Sequence, residues 1–199
     1  MDPQLLADEF EAHRSHLRAV AYRMLGSASE ADDAVQESWL RLGRSDATGV
    51  ENMGGWLTTV VARICLNMLQ SRRSRREEPL GEQEPAPGGV AAPDPEREAL
   101  LAVLDPDVVL RADGAVVRMG GEAEVRGARE VATTFSGRAL AVEPALVDGT
   151  AGAAWFQGGQ PRVVFRFTIV GGSIVGIEML ADPERISELE LVAGESGQA

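Results

Sequence analysis

Apolar residues recur at helical spacing through the first third of the chain and at alternate positions through much of the second half. Leu6, Phe10, His13, Leu17, Val20 and Met24 share one helical face, which predicts a helix from about Pro3 to Leu25, ended by Gly26. The run Ser29-Glu-Ala-Asp32 has the spacing of a capping box and opens a second predicted helix that continues to about Leu42. On that helix Ala31, Ala34, Val35, Ser38, Trp39 and Leu42 occupy one sector and face a core. Asp32, Asp33, Gln36, Glu37 and Arg41 cover the rest. The polar, Gly-containing stretch GRSDATGVENMGG leads to a third helix, from Trp56 to about Arg73.

Residues 77–95, EEPLGEQEPAPGGVAAPDP, disfavour helix and strand alike and read as an exposed linker. After it, PEREALLAVLDP predicts a short helix ended at Asp105-Pro106. DVVLRADG predicts a strand running into a turn, and RGAREVATTFSG a second helix. ALAVEPALV, TAGAAWF, RVVFRFTIV and SIVGIEML predict strands joined by DG, GG and QGGQP turns, giving an antiparallel sheet of the α+β class.

Composition narrows the function classes. The 44% hydrophobic and 25% charged content is that of a globular protein. No window reaches the roughly 18 uncharged apolar residues of a membrane span, and the acidic N-terminus is not a signal peptide. A single cysteine, Cys65, forms no internal disulfide, and the expected location is the reducing cytoplasm. Residues 1–80 hold 10 Arg against 12 acidic residues, whereas residues 81–199 hold 9 Arg against 19. The acidic second half repels nucleic acid, so polyanion binding is confined to the cluster Arg72, Arg73, Arg75 and Arg76.

Two features of the helices carry candidate chemistry. Leu40 projects among Asp33, Gln36 and Glu37 on the polar side of helix two. It is either a lone exposed leucine or an apolar anchor ringed by polar groups. On helix three, Leu57, Val60, Val61, Ile64, Cys65, Met68 and Leu69 form a core face, while Thr59, Arg63, Asn67 and Gln70 form a polar stripe with Trp56 at its start. The stripe is either a solvated face or a single-strand reader. In the second case bases stack on Trp56, Arg63 pairs with phosphate and Asn67 reads a base edge. The arginine cluster then extends it as a clamp on the nucleic-acid backbone.

EADDAVQESWLRL followed by GGWLTTVVARICLNMLQSRRSRR resembles region 2 of bacterial RNA polymerase sigma factors of the extracytoplasmic-function group, over about residues 5–78. The resemblance implies that Asp33, Gln36, Glu37 and Leu40 bind the β′ clamp of core RNA polymerase. It also implies that the loop Ser45–Gly55 with Trp56, Arg63, Asn67, Arg72, Arg73, Arg75 and Arg76 holds the melted −10 element of promoter DNA. LLAVLDPDVVLRADG, EVRGAREVA and RVVFRFTIVGGSIVGIEMLADPERI resemble the SnoaL-like, NTF2-like domain that one subgroup of these factors carries at its C-terminus, where it modulates activity. Such proteins place region 4, a helix-turn-helix, between the two parts, and here the chain passes from linker to C-terminal domain without it. The expected organisation is multidomain: an all-α three-helix domain (1–76), a linker (77–95), an α+β cone with a curved antiparallel sheet (96–192) and a tail (193–199). The acidic second half is expected to contact the arginines.

Cones of the NTF2 type also occur in isomerases and cyclases. Catalysis near neutrality favours His, or Tyr with a carboxylate, yet His13, His16 and Tyr22 all lie on helix one. The second half offers Asp107, Arg111, Asp113, Arg166 and Glu178, which read as surface positions or ion pairs. The chain is therefore expected not to be an enzyme and to hold no metal or cofactor. The alternatives are a small-molecule-binding or enzymatic NTF2-like protein with a helical packing element, and a regulator that occupies the clamp.

Overall fold

A computed structural model describes residues 3–43, 50–77, 94–138 and 141–193. Three long helices come first: α1 (Pro3–Leu25), α2 (Ala28–Leu42) and α3 (Met53–Glu77). Their buried faces are those that the apolar spacing predicts. Leu17, Val20, Ala31, Ala34, Leu57 and Val61 are almost fully removed from water, and Phe10 tilts against Trp39 with ring centroids 5.0 Å apart. The helix ends differ from the sequence reading. α2 is preceded by Ser27 in extended backbone, so the predicted capping box at Ser29 lies inside the helix. α3 begins three residues early because Asn52 caps it, its Oδ1 accepting from Gly55 N at 2.9 Å. Two glycines at 54 and 55 hide that start from propensity.

The C-terminal half is α4 (Pro95–Val103), β1 (Leu104–Ala112), α5 (Gly114–Arg118), β2 (Glu124–Arg126), α6 (Ala128–Phe135), β3 (Glu143–Val147), β4 (Thr150–Gln157), β5 (Gln160–Val170), β6 (Ser173–Leu180), α7 (Pro183–Ser187) and β7 (Leu191–Ala193). Pro95 at the start of α4 and Glu77 within α3 trim both ends of the expected linker. Residues 78–93 of that linker, and the tail beyond Ala193, lie outside the described residues. The strands form one curved sheet in the order β2-β1-β6-β5-β4-β3-β7. It is antiparallel except toward its β2 edge, where β1 runs parallel to β6 with Leu110 opposite Ile177. This corrects the expectation of a wholly antiparallel sheet. Alternation identifies a strand but not its direction, and the long excursion between β1 and β6 permits a parallel return.

One face of the sheet packs Leu110, Phe165 and Ile177 against Val131 and Ala132 of α6. The other packs Val147, Val164 and Leu180 against Ile186 of α7. The two halves are not separate beads. α4 lies against both α1 and α3, and α3 also touches β3 and β4. Ala99, Val103 and Leu146 join the apolar core of the three helices, with Ile174 and Val192 packed on its edge. A backbone hydrogen bond from Glu51 N to Gly149 O, 2.9 Å, ties the entrance of α3 to the β3–β4 turn. At the β5–β6 turn Gly172 lies so close to the His16 ring of α1 that any Cβ would overlap it.

Candidate functional site

The two candidate surfaces of the helical half have opposite fates. On α2, Asp33, Gln36, Glu37 and Leu40 fall at positions i, i+3, i+4 and i+7 and form one stripe turned away from the core. Asp33 and Gln36 are exposed, Leu40 is 46% exposed, and Glu37 accepts from Arg41 Nε at 2.9 Å. A large apolar side chain that stays open among hydrogen-bonding groups is what a docking anchor needs.

The polar stripe of α3 is instead largely covered. Trp56, expected at the rim as a stacking plate, is 3% exposed and belongs to the core. No base can stack on it in this arrangement. Thr58 and Thr59 are buried, and their hydroxyls are satisfied within the helix by Gly54 O (2.7 Å) and Gly55 O (3.2 Å). Arg63 and Asn67 are half-buried, and Gln70 is exposed. Arg63 faces α4 and the sheet. Burial lowers its pKa, as does Arg41, while Glu143 and Glu96 oppose the shift. Cys65 lies on the core face, where burial pushes its thiol up to about 12, leaving a neutral packing group.

The arginine cluster is divided rather than uniform. Arg72 is half-buried and pairs with Glu30 in the first turn of α2, Nε to Oε1 at 2.8 Å, with a second contact through its terminal nitrogen. It also donates to Leu25 O, 3.4 Å away. One guanidinium thus ties α3 to the start of α2 and the end of α1, a use its position in a basic run does not reveal. Arg72→Ala should lower helical-half stability by about 1–3 kcal/mol, because Glu30 loses its partner. An unchanged urea midpoint would remove this role. Arg73 is exposed beside a groove whose far side carries Asp94 and Glu96. Arg75 is exposed, with its Nε on Ser71 O at 3.1 Å. Of Arg76 only the helical backbone is described, and residues 45–49 of the predicted DNA-holding loop lie outside the described residues.

In the C-terminal half several of the acidic and basic groups are paired or used by the backbone. Arg111 donates to Glu124 (3.1 Å) and Arg166 lies 3.6 Å from Glu178. Asp113 accepts from Val116 N, Ala181 N and Asp182 N. Partial burial pushes the Asp113 carboxyl up, but these N–H groups, with that of Ala115, hold it below its ordinary value.

Residues 10–75 match the family model of Sigma-70 region 2. The chain is homologous to extracytoplasmic-function sigma factors. It is 38% identical over 162 residues to the ECF RNA polymerase sigma factor SigJ of Mycobacterium tuberculosis, covering 71% of this chain and 52% of that one. It is 40% identical over 70 residues to the probable factor SigI of the same organism, covering 35% of this chain and 24% of SigI. The chain thus spans about half the length of SigJ. The crystal structure of SigJ aligns with 91% of this chain and 98% of its own, at 22% identity and a TM-score of 0.34. The segment that the family model matches contains both the α2 stripe and the α3 stripe. Among the described residues no helix is long and apolar enough to cross a membrane.

Proposed function

We propose that this protein is a sigma-factor-type transcription initiation protein held in a closed arrangement by its C-terminal half. Its region 2 binds the β′ clamp of core RNA polymerase through Asp33, Gln36, Glu37 and Leu40, and −10 promoter DNA through the α3 face. The observation that carries this reading is the asymmetry between the two helices of region 2: the α2 stripe is open, and the first part of the α3 stripe, Thr59 and Arg63, is turned toward the C-terminal half. Polymerase can dock without any rearrangement, whereas DNA needs the halves to part first. Arg63, Asn67, Arg73 and Arg75 are then the groups that meet unpaired strand. Trp56 and Arg72 serve that face by holding α3 in place. The C-terminal half, which we read as SnoaL-like, acts as the cover.

Retention on immobilised core polymerase tests the docking face. The Gln36→Ala/Leu40→Ala variant should lose about 2 kcal/mol of binding, roughly thirtyfold in affinity, because it removes the apolar anchor of the stripe and an exposed hydrogen-bonding group beside it. Equal retention of variant and wild type would show that another surface docks. The covered α3 stripe also suits a second reading, a regulator that occupies the clamp without opening DNA. In vitro transcription separates the two, since only the first yields transcripts once the cover is released.

A further inference from the structure

Where α1 meets the β5–β6 turn, the His16 ring lies directly against Gly172. Its Nε2 is buried and has no hydrogen-bond partner among the described residues. A neutral imidazole tolerates this, because with its proton on Nδ1 the hidden nitrogen is only an unused acceptor. An imidazolium does not. Both of its nitrogens carry N–H, so the buried one becomes an unpaired donor on a charged ring. The electrostatic neighbours add to the cost. Arg23 and His13, both on α1, oppose a positive charge on the ring. The turn that covers it, Val170, Gly171, Gly172 and Ser173, carries no titratable side chain. Among the described residues no carboxylate of α2, α3 or α4, the other elements packed on α1, is set against them.

We propose that His16 is a pH-sensitive latch: neutral, it lets the β5–β6 turn close on α1, and protonated, it drives the two halves apart. Imidazole suits the task because its charge changes just below neutrality. Burial lowers the pKa of His16, and Arg23 and His13 lower it further. The closed arrangement is therefore fully stable above the ordinary value of 6.5. It loses stability as the pH falls through that value towards the lowered one. Gly172 belongs to the same device. It brings the turn down onto the ring with no side chain between, so Nε2 meets neither water nor an acceptor. That the parting frees the α3 face rests on the closed reading given above, whereas the latch itself does not.

Hydrogen exchange of the Glu51 amide in the full chain, without DNA or polymerase, is the test, since its bond to Gly149 O spans the two halves. Each rate is divided by that of an unstructured peptide at the same pH. Between about pH 7.5 and pH 5.5 imidazoles titrate and carboxylates of ordinary pKa do not. Protection should fall about five- to tenfold over that range, the upper figure set by how far an ordinary imidazole is protonated at its acid end. His16→Gln should flatten the response, whatever its absolute protection, and His13→Gln should keep most of it. If His16→Gln does not fold, the His16 ring proton of wild type, followed by NMR, decides. It should titrate below 6.5, and in Gly172→Val move up towards that value. A flat wild type, an equal response in His16→Gln, a response lost in His13→Gln alone, or a ring that titrates at the ordinary value would overturn the proposal. If protection responds as stated, yet the bubble-DNA affinity of wild type relative to His16→Gln is the same at both pH values, the closed reading fails while the latch stands.

Discussion

Gly172→Val should part the two halves of the protein. At Gly172 the backbone φ is +78°, a conformation that a β-branched residue reaches only with strain, and any side chain there overlaps the His16 ring. Strain and overlap together come to about 3 kcal/mol against the docked turn. The amide of Glu51 reports the outcome, because its partner, Gly149 O, belongs to the other half. Its hydrogen exchange should accelerate about a hundredfold. Affinity for bubble DNA should rise in parallel if the sheet is what hides the α3 stripe. Adding His16→Ala removes the overlap but not the strain, so the double variant should recover part of the protection. If exchange at Glu51 is unchanged, the seam at His16 and Gly172 does not hold the halves together. If exchange quickens and DNA binding stays flat, the cover is not what limits access.

Asp113→Ala should destabilise the C-terminal half by about 3 kcal/mol. The carboxylate accepts from three backbone N–H groups, Val116 at 2.9 Å and Ala181 and Asp182 at 3.0 Å each. It therefore pins the end of β1 and the start of α5 to the segment that leaves β6. Removing it orphans three partly buried donors, and bonds to a charged acceptor are the stronger kind. The pH dependence follows from the depressed pKa. The folded-state value lies below the unfolded one, so the contribution is fully present above about pH 4. It is lost as the pH falls through the unfolded value towards the folded one. Urea unfolding of wild type and Asp113→Asn at pH 7 and pH 3 should show a gap that narrows in acid. A gap that stays constant, or an Ala variant as stable as wild type, would contradict this role.

Much of the molecule was legible because its elements obey simple periods. α1 spans the predicted residues, α2 buries the predicted sector, and Leu40 is open as its place on the helical wheel requires. The strands from β3 to β6 lie within or close to the alternating runs, between Gly-containing turns. Short elements escaped. α5 and α7 have five residues each, and β2 and β7 three, too few for a period to register. Asp113 read as the end of a turn because the same Asp-Gly pair serves a turn or a helix cap, and only the neighbouring N–H groups decide.

The candidate site divides along the same line. Which residues are polar, and which share a helical face, follows from spacing alone, whereas region 2 is identified by its resemblance to a known family. By itself the sequence determined three helices with apolar faces, a strand-rich second half and an arginine-ended third helix, since periodicity and charge are local properties. Only the tertiary structure decided that β1 and β6 run parallel, that Arg72 belongs to Glu30, that Trp56 lies in the core and that Arg63 is turned toward the second half. Those outcomes depend on contacts between residues tens of positions apart, made by surfaces whose polarity suits water, nucleic acid or another part of the same chain equally well.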